Sequence, residues 1–379
     1  MTKVAFVTDQ HVHYRSLQET MRVLRWVAND ARDRGCAATL LGGDLLDTGS
    51  VVEDRNATAE WLLLLAEFGE VVGVVGNHEV PGDCDIFNKL RGRHPITLYD
   101  RPAVHALPRL GMAVACMPWP HLGPLFAQVG SREDAQQAAR ELLRGIFLGL
   151  GAELDQHPGL ARLMVGHLSI AGAKTDHDQP LRGAEFLLSL AELEPIRAVL
   201  YLFGHIHAQS DLVCGGAPAL MGGATEHHDF GEPGPKGYLV AETDGTRLVG
   251  YERIPTPVAP MLLLESSFDG LNMRGDWSER NVAGAEIRLR YLVHKDQRSG
   301  GAAAAEDVKR ELLALGALSV SLDPVVETET RARAPEVAAA RGHREKLEAH
   351  WKSKEFDPGT RRDALLAKAD LLHEATREA

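Results

Sequence analysis

Five short clusters rich in histidine and aspartate lie within the first 207 residues of this 379-residue chain. They are Asp9-Gln10-His11, Gly43-Asp44-Leu45-Leu46-Asp47, Gly76-Asn77-His78-Glu79, Gly166-His167 and Gly204-His205-Ile206-His207. Imidazole nitrogens together with carboxylate and amide oxygens are typical ligands of divalent metal ions. Each cluster alone is weak evidence, because a lone Gly-His pair is usually a turn and a lone Asp-x-His is usually solvated surface. Five in order predict a two-metal hydrolytic site.

Hydrolysis of a phosphate ester is the chemistry that such a site favours. The reaction needs charge stabilisation on the phosphoryl oxygens and a nucleophile that exists at neutral pH. Two metal ions about 3.5 to 4 Å apart supply both. The pair needs a carboxylate that bridges it. Asp44 is the natural candidate, because the two glycines before it let the backbone pass close to the ions.

Short apolar runs that are typical of β-strands precede the clusters and must position them. With helical patterns between them, the runs are Val4–Thr8, Thr39–Leu41, Val71–Val75, Val114–Met117, Leu163–Val165 and Val199–Phe203. Open α/β sheets place ligands outside the carboxyl ends of their strands. The sequence therefore predicts a layered α/β scaffold in which each βαβ unit delivers one ligand loop.

The ordered clusters resemble the calcineurin-like metallophosphoesterases, whose pattern D-x-H, GDxxD, GNH(E/D), H and GHxH is met without a gap. The resemblance implies a two-sheet fold with four layers, α/β/β/α. It implies that one metal binds Asp9, His11, Asp44 and His207, and that the other binds Asp44, Asn77, His167 and His205. It also implies that His78 contacts the substrate phosphate or protonates the leaving oxygen, and that Asp47 orients His78 through a hydrogen bond.

The donor atoms of this implied ligand set bear on the identity of the metals. Four histidines, one asparagine and two aspartates are too rich in nitrogen for magnesium, and they suit manganese, iron or zinc. We expect two divalent ions, with Mn²⁺ as the first choice. Two such ions against two carboxylates leave a positive centre that attracts phosphate.

Composition limits the class of protein. The formal net charge of −12 argues against a protein that coats nucleic acid through a broad basic surface. The four cysteines are far apart and form no C-x-x-C pair, which favours a reducing cytoplasm over a disulfide framework. Because no apolar run approaches 18 residues, we expect neither export nor a membrane span.

Tracts outside the ligands resemble the SbcD family, the nuclease subunits of double-strand-break repair complexes, which includes the eukaryotic and archaeal meiotic-recombination nuclease. The tracts are Met117-Pro118-Trp119-Pro120, Gly166–Ala173 and Thr225–Glu232 with Lys236-Gly237-Tyr238. The resemblance implies a DNA nuclease with 3′–5′ exonuclease and single-strand endonuclease activity. It also implies a homodimer and a partner, an SbcC-like coiled-coil ABC ATPase. Such a protein would be cytoplasmic and associated with the nucleoid when acting on DNA.

Two departures from that family stand near the predicted site. Val12-His13 follows the first cluster, where the family often has Leu-Gly. His227 and His228 stand where an arginine is common, on a loop that the family places near the cleft, so both are candidate substrate-binding residues. Trp119, between two prolines, either anchors its loop or stacks on an unpaired base.

Pattern changes along the chain predict three parts. Residues 1–255 would form the metallophosphoesterase domain, and Pro255, Pro257 and Pro260 mark its end. Residues 260–324 would form a small α+β domain, and residues 335–379 a helix-loop-helix. The resemblance implies that the first is a capping domain that binds DNA and that the second binds the ATPase. The predicted helices of the last part are Pro335–Lys354 and Arg361–Ala375.

Two other functions remain open. The chain could be a phosphatase or phosphodiesterase for nucleotides or cyclic nucleotides, in which case the C-terminal part would bind no partner. It could also be a non-catalytic repair adaptor that retains the fold. The adaptor is disfavoured because it need not keep all seven ligands together with His78.

Overall fold

The computed structural model describes residues 1–80, 82–123, 131–174, 186–230, 232, 234–275, 277, 281–327, 337, 340, 342–354 and 356–375. The start of the predicted helix at Pro335, Gly231 of the predicted loop tract and the tail after residue 375 lie outside these residues. The chain forms two compact units. One comprises Met1–Leu264, Asp276–Leu289 and Lys309–Ser321, and the other comprises Glu265–Gly275, Arg290–Val308 and Leu322–Ala379.

The elements follow one another in the order that the apolar runs predict. The strands are β1 (Thr2–Val7), β2 (Cys36–Leu41), β3 (Glu70–Val74), β4 (Ile96–Tyr99), β5 (Ala103–Leu107), β6 (Met112–Met117), β7 (Ala161–His167), β8 (Leu200–Gly204), β9 (Ser210–Cys214), β10 (Ala217–Met221), β11 (Gly237–Thr243), β12 (Leu248–Pro255), β13 (Met261–Phe268), β14 (Met273–Arg274), β15 (Glu286–His294) and β16 (Ser319–Glu327). The α-helices are α1 (Leu17–Asp33), α2 (Val52–Leu65), α3 (Arg132–Leu154), α4 (Arg298–Ala314), α5 (His343–Ser353) and α6 (Arg362–Ala375).

Two six-stranded sheets carry the first unit. The first has the order β12-β11-β1-β2-β3-β4, in which β1 to β4 are parallel. The second has the order β5-β6-β7-β8-β10-β9, in which β6, β7, β8 and β10 are parallel. Parallel strands are covered on both faces, which explains why runs such as Val4–Val7 are apolar without alternation and fully buried.

The layers follow from three separate apolar cores. The inner faces of the two sheets pack on each other through side chains such as Phe6, Leu40, Val165 and Leu202. Helices α1 and α2 cover the outer face of the first sheet. Helix α3 covers the outer face of the second. The structure thus confirms the predicted four-layer α/β/β/α fold.

A third sheet has the order β14-β13-β15-β16. Its last strand continues to Glu327, beyond residue 324, where the predicted α+β part ends. Helices α5 and α6, of 11 and 14 residues, are linked by the ion pairs Arg344–Asp370 and Arg362–Glu348. Within the described part of the chain, no helix combines the length and apolar character that crossing a membrane requires.

Candidate metal centre

The predicted ligands lie on loops that leave the carboxyl ends of β1, β2, β3, β7 and β8. Four of these residues have left-handed backbone, with φ of 54° at Asp9, 44° at His11, 51° at Asp44 and 94° at His205. Only one other described non-glycine residue, Arg197, has a positive φ. Such conformations cost on the order of 1–3 kcal/mol each and persist where the surroundings hold them, often at functional sites.

Two glycines are needed for the loops to approach one another. A Cβ atom on Gly43, whose φ is 96°, would lie 2.5 Å from Nδ1 of His167. A Cβ atom on Gly76 would overlap the carboxylate of Asp44. The backbone therefore passes as close to the site as the glycines of these clusters predict.

The first group of predicted ligands surrounds His11 and His207. Their Nε2 atoms are 3.0 Å apart, and Nε2 of His11 lies 3.6 Å from Oδ2 of Asp44. Two nitrogens that each bind one ion at about 2.1 Å, at right angles, lie about 3 Å apart. Asp9 is fully buried, and its Oδ1 accepts a hydrogen bond of 2.9 Å from the backbone N–H of His205.

The second group surrounds the amide oxygen of Asn77. This atom lies 2.9 Å from Nε2 of His167 and 2.8 Å from Nδ1 of His205. Nε2 of His167 also lies 3.3 Å from Oδ2 of Asp44. The same Asp44 oxygen thus faces His11 of the first group and His167 of the second, which is the position that a bridging carboxylate requires.

Buried hydrogen bonds fix how the ligand rings are turned. His167 donates from Nδ1 to the carbonyl of Gly42 at 2.8 Å, and His207 donates from Nδ1 to Oε1 of Glu232 at 2.6 Å. With Nδ1 directed outward in both rings, Nε2 of each ring faces the centre, where it can bind a metal ion once it has lost its proton. Burial opposes ionisation of Asp44, but His167 and His11 hold the pKa of its carboxyl well below the usual value.

His78 stands at the open side of the centre, since about a third of its side chain is exposed. Its Nδ1 lies 2.8 Å from Oδ1 of Asp47 and 2.9 Å from the hydroxyl of Thr48. Its backbone N–H donates to Oδ1 of Asp44 at 3.0 Å, and its Nε2 is 4.0 Å from Oδ2 of the same residue. The ring is therefore held at Nδ1, with Nε2 toward the predicted metals.

The two histidines of the loop after β10 have different surroundings. His228 donates from Nε2 to the carbonyl of Asp9 at 3.1 Å, and its ring centroid lies 4.7 Å from that of His11. Burial and the neighbouring His207 lower the pKa of His228 to about 4, so it does not supply the charge of an arginine. Among the described residues, no contact joins His227 to a predicted ligand, and its buried Nδ1 has no partner there.

Three residues support the site without having been assigned a role from the sequence. Glu79 is buried and joins two ligand loops, because its carboxylate accepts the N–H groups of Leu46 at 2.9 Å and Gly76 at 2.6 Å. The position of Glu79 at the end of the Gly76–Glu79 cluster is the sequence feature that could have indicated this supporting role. Glu232 and Lys236 form a buried ion pair of 2.9 Å behind His207. Despite burial, His207 and Lys236 hold the pKa of Glu232 below its usual value.

Trp119 belongs to the wall of the site. Its ring centroid lies 4.7 Å from that of His205 and 6.0 Å from that of His167. Its backbone N–H donates to the carbonyl of Val75 at 2.9 Å, which ties the Met117–Pro120 turn to the end of β3. These contacts favour the anchoring alternative for Trp119.

The donor atoms fit divalent metal ions. In three groups of described residues, possible ligand atoms all lie within 4.8 Å of one another: His11 with His207 and His228, His11 with Asp44 and His78, and Asp9 with Asp44 and His167. His11 belongs to the first two groups and Asp44 to the last two. The first group offers only imidazole nitrogens, and the other two combine nitrogen with carboxylate oxygen, as suits manganese, iron or zinc. The residues present can therefore hold metals side by side at the strand ends.

Comparison with known proteins bears on the same region. The family model of the calcineurin-like phosphoesterases matches residues 2–209. No curated protein sequence matches significantly. Among solved structures, the chain is similar to a dimetal phosphatase from Danio rerio, with 12% identity, a TM-score of 0.40 and coverage of 67% of this chain and 97% of that one. The phosphopantetheinyl hydrolase of Mycobacterium tuberculosis also has 12% identity, with a TM-score of 0.33 and coverage of 59% and 89%.

Proposed function

This chain belongs to the calcineurin-like phosphoesterase family, and from that premise we propose that it is a manganese-dependent DNA nuclease with 3′–5′ exonuclease and single-strand endonuclease activity. The observation that carries the hydrolytic part is the position of Asp44, whose Oδ2 lies 3.6 Å from His11 and 3.3 Å from His167. Two ligand groups on separate strands thus meet at one carboxylate oxygen. That arrangement supports a site for two ions.

Seven residues would hold the metals. One ion would be bound by Asp9, His11, Asp44 and His207, and the other by Asp44, Asn77, His167 and His205. When bound, two divalent ions neutralise charge on a phosphoryl group and lower the pKa of water at the site. The chain contributes the fixed separation of the two groups, because each ligand follows a buried strand.

His78 would act on the substrate directly. Asp47 accepts its Nδ1–H, which fixes the tautomer and keeps Nε2 directed at the centre. From there Nε2 can contact a phosphate oxygen, or carry a proton to the leaving oxygen when the ring is protonated. Thr48 adds a second polar contact at Nδ1 and limits rotation of the ring.

DNA is proposed as substrate because of the tracts around the ligands. The Met117–Pro120 turn forms part of the wall of the site through Trp119, and Gly166–Ala173 contains the predicted ligand His167. The segment Thr225–Lys236 brings His228 beside His11. We propose His227 and His228 as substrate-binding residues. Because burial lowers the pKa of both, neither would act as a cation. His227 would contact a phosphate as a neutral hydrogen-bond donor, whereas His228 would first have to release the N–H that it donates to the carbonyl of Asp9.

We also propose an SbcC-like coiled-coil ABC ATPase as partner, bound through α5 and α6, and a homodimer of this chain. Leu371 and Leu372 on α6 are 68% and 61% exposed, and they would supply apolar contact to a partner helix. Replacing both with serine should abolish co-purification with the ATPase while Mn²⁺-dependent cleavage of a simple phosphodiester stays unchanged. Intact co-purification would refute this docking site.

A phosphodiesterase for nucleotides or cyclic nucleotides is the second candidate. It is favoured by the extent of the family match, which ends at residue 209 and includes only the metal-binding part. The same centre would serve a small ester as well as a DNA strand. A non-catalytic adaptor remains the third.

One assay separates the three functions. Purified chain with Mn²⁺ is incubated with end-labelled linear duplex DNA, circular single-stranded DNA, a cyclic nucleotide and bis-p-nitrophenyl phosphate, and EDTA-treated chain is the control. The nuclease predicts nucleotides released from 3′ ends and cleavage of the circle. Intact DNA with hydrolysis of the small esters would establish the second candidate. No hydrolysis of any substrate by metal-loaded chain would favour the adaptor.

A further inference from the structure

We propose that Glu232, supported by Lys236, is a positioning residue that strengthens metal binding at the site containing His207. The inference rests on the proposed two-metal function and concerns one of its two metal sites. Neither residue belongs to the predicted ligand set. Their contribution would pass through the imidazole of His207.

The contacts of Glu232 are those of a ligand support. Its Oε1 accepts the Nδ1–H of His207 at 2.6 Å, which leaves the Nε2 lone pair directed toward His11, 3.0 Å away. Its Oε2 accepts the backbone N–H of His228 at 3.1 Å. One carboxylate thus sets the tautomer of a ligand and the position of the histidine beside it.

Lys236 keeps this carboxylate in place. Its Nζ lies 2.9 Å from Oε2 of Glu232 and donates to the carbonyl of His207 at 3.4 Å. The Lys236 side chain is fully buried, and that of Glu232 is only 10% exposed. Buried ions are costly unless they are paired and hydrogen-bonded. The pair therefore contacts His207 at both its ring and its backbone. Movement of either Glu232 or Lys236 would leave a buried charge without its partner.

The ring of His167, in the other metal site, has a different support. The Nδ1–H of His167 is accepted by the carbonyl of Gly42, a neutral group. A carboxylate that accepts the distal N–H of a metal-bound imidazole raises the basicity of that ligand, and removal of such a partner typically weakens metal affinity about 10- to 100-fold. The chain thus gives a charged support to His207 and an uncharged one to His167.

Calorimetric titration of the metal-free full chain with MnCl₂ tests the inference. We expect two affinities in the wild type. Glu232→Gln should weaken one of them about 10- to 100-fold and change the other less than about 3-fold, and Glu232→Ala should weaken the same one further, because Gln retains an acceptor. Glu226→Gln is the matched control, since Glu226 is a buried carboxylate of the same segment that bonds Thr20 instead of a ligand. It should change neither affinity.

A second readout excludes a merely structural role. Phosphodiester hydrolysis by Glu232→Gln should recover at saturating Mn²⁺, whereas a misfolded site would not recover. Two unchanged affinities in a folded Glu232→Gln chain would overturn the inference while leaving the proposed function intact. If the wild type bound no pair of ions, the proposed function itself would fail.

A measurement on unmutated chain guards against variants that do not fold. With ¹⁵N-labelled histidine and zinc in place of manganese, NMR should show His207 with its proton on Nδ1. A proton on Nε2 would contradict the inference, because Glu232 would then face a nitrogen with nothing to donate.

Discussion

Two regions of this chain bring histidines and an aspartate together, and only one of them is built as a metal site. At the strand ends, His11, His207 and Asp44 cluster with Nε2 atoms 3.0 Å apart. On helices α5 and α6, the rings of His343 and His373 stack at 4.3 Å, and Asp370 bonds His343 at 2.6 Å. By residue type alone the clusters look alike.

The difference lies in burial and in which ring nitrogen is already bonded. At the strand ends, His207 is bonded at Nδ1 by Glu232, so its Nε2 faces the centre, and the side chain of Asp44 is only 3% exposed. On the helices, Nε2 of His343 is itself bonded to Asp370, which also pairs with Arg344. At the strand ends His207 is thus supported on the far side of its ring and leaves Nε2 for a metal, whereas the helical cluster is a surface ion-pair network.

The largest effect expected from this comparison is on catalysis. His78→Asn should lower phosphodiester hydrolysis by about 10²- to 10⁴-fold, because a general acid or a phosphate contact is lost. Bound Mn²⁺, measured by mass spectrometry of the metal content, should not change. The matched control is His343→Asn in the helical cluster, which should retain full activity. Equal losses in the two variants would contradict the distinction between the regions.

Removal of the metals should destabilise the strand-end region and leave helices α5 and α6 unchanged. A ligand present at about 100 times its Kd stabilises the folded state by about 2.7 kcal/mol. Hydrogen exchange read by mass spectrometry should show Mn²⁺-dependent protection in the loops after β1, β2 and β8. Peptides from α5 and α6 should exchange at the same rate with Mn²⁺ and with EDTA. An equal rise of Mn²⁺-dependent protection in α5 and α6 would contradict the distinction between the two regions.

A smaller effect, on the pH dependence of stability, is expected at Glu226, a buried carboxyl outside the predicted ligand set. Burial raises the pKa of Glu226 to about 7, above the ordinary value of 4.5. The folded state therefore binds the extra proton, and stability contributed by this group is lost as the pH rises from about 4.5 through 7. Glu226→Gln should remove that loss. In denaturant titrations of EDTA-treated chain, we expect the variant to gain about 3 kcal/mol relative to the wild type between pH 4 and pH 8. An unchanged difference would contradict this assignment.

The smallest effect is expected on the helices. Asp370→Asn removes the ion pair with Arg344 and the bond to His343, but both lie at the surface, where salt screens them. We expect a slight loss of thermal stability that disappears in high salt. The measurement is a circular-dichroism melt at two ionic strengths, and a loss that persisted in high salt would indicate a buried role.

Much of the fold was predictable because the strands are buried on both faces. Continuous apolar runs such as Val4–Val7 mark such strands, and each cluster follows one of them. The grouping of distant ligands then follows from parallel topology. Element ends were less predictable: β16 passes through Pro324 to Glu327, because an edge strand needs no N–H at every position.

The supports of the site were harder to predict than its ligands. Glu232 meets His207 across 25 residues, a contact that depends on how the loop after β10 folds back and that no local spacing shows. For the same reason the sequence could not separate His228, which reaches the centre, from His227. DNA, the ATPase and the dimer stay predictions, since they concern surfaces rather than the strand ends.

The central proposal is that Asp44 is the carboxylate shared by two metals. The direct measurement is the metal content of EDTA-treated chain reloaded with Mn²⁺, combined with its electron paramagnetic resonance spectrum. We predict two Mn²⁺ per chain with an exchange-coupled spectrum, and loss of the coupling in Asp44→Asn. A single Mn²⁺ per chain, or two ions without coupling in the wild type, would show that Asp44 does not join two metals.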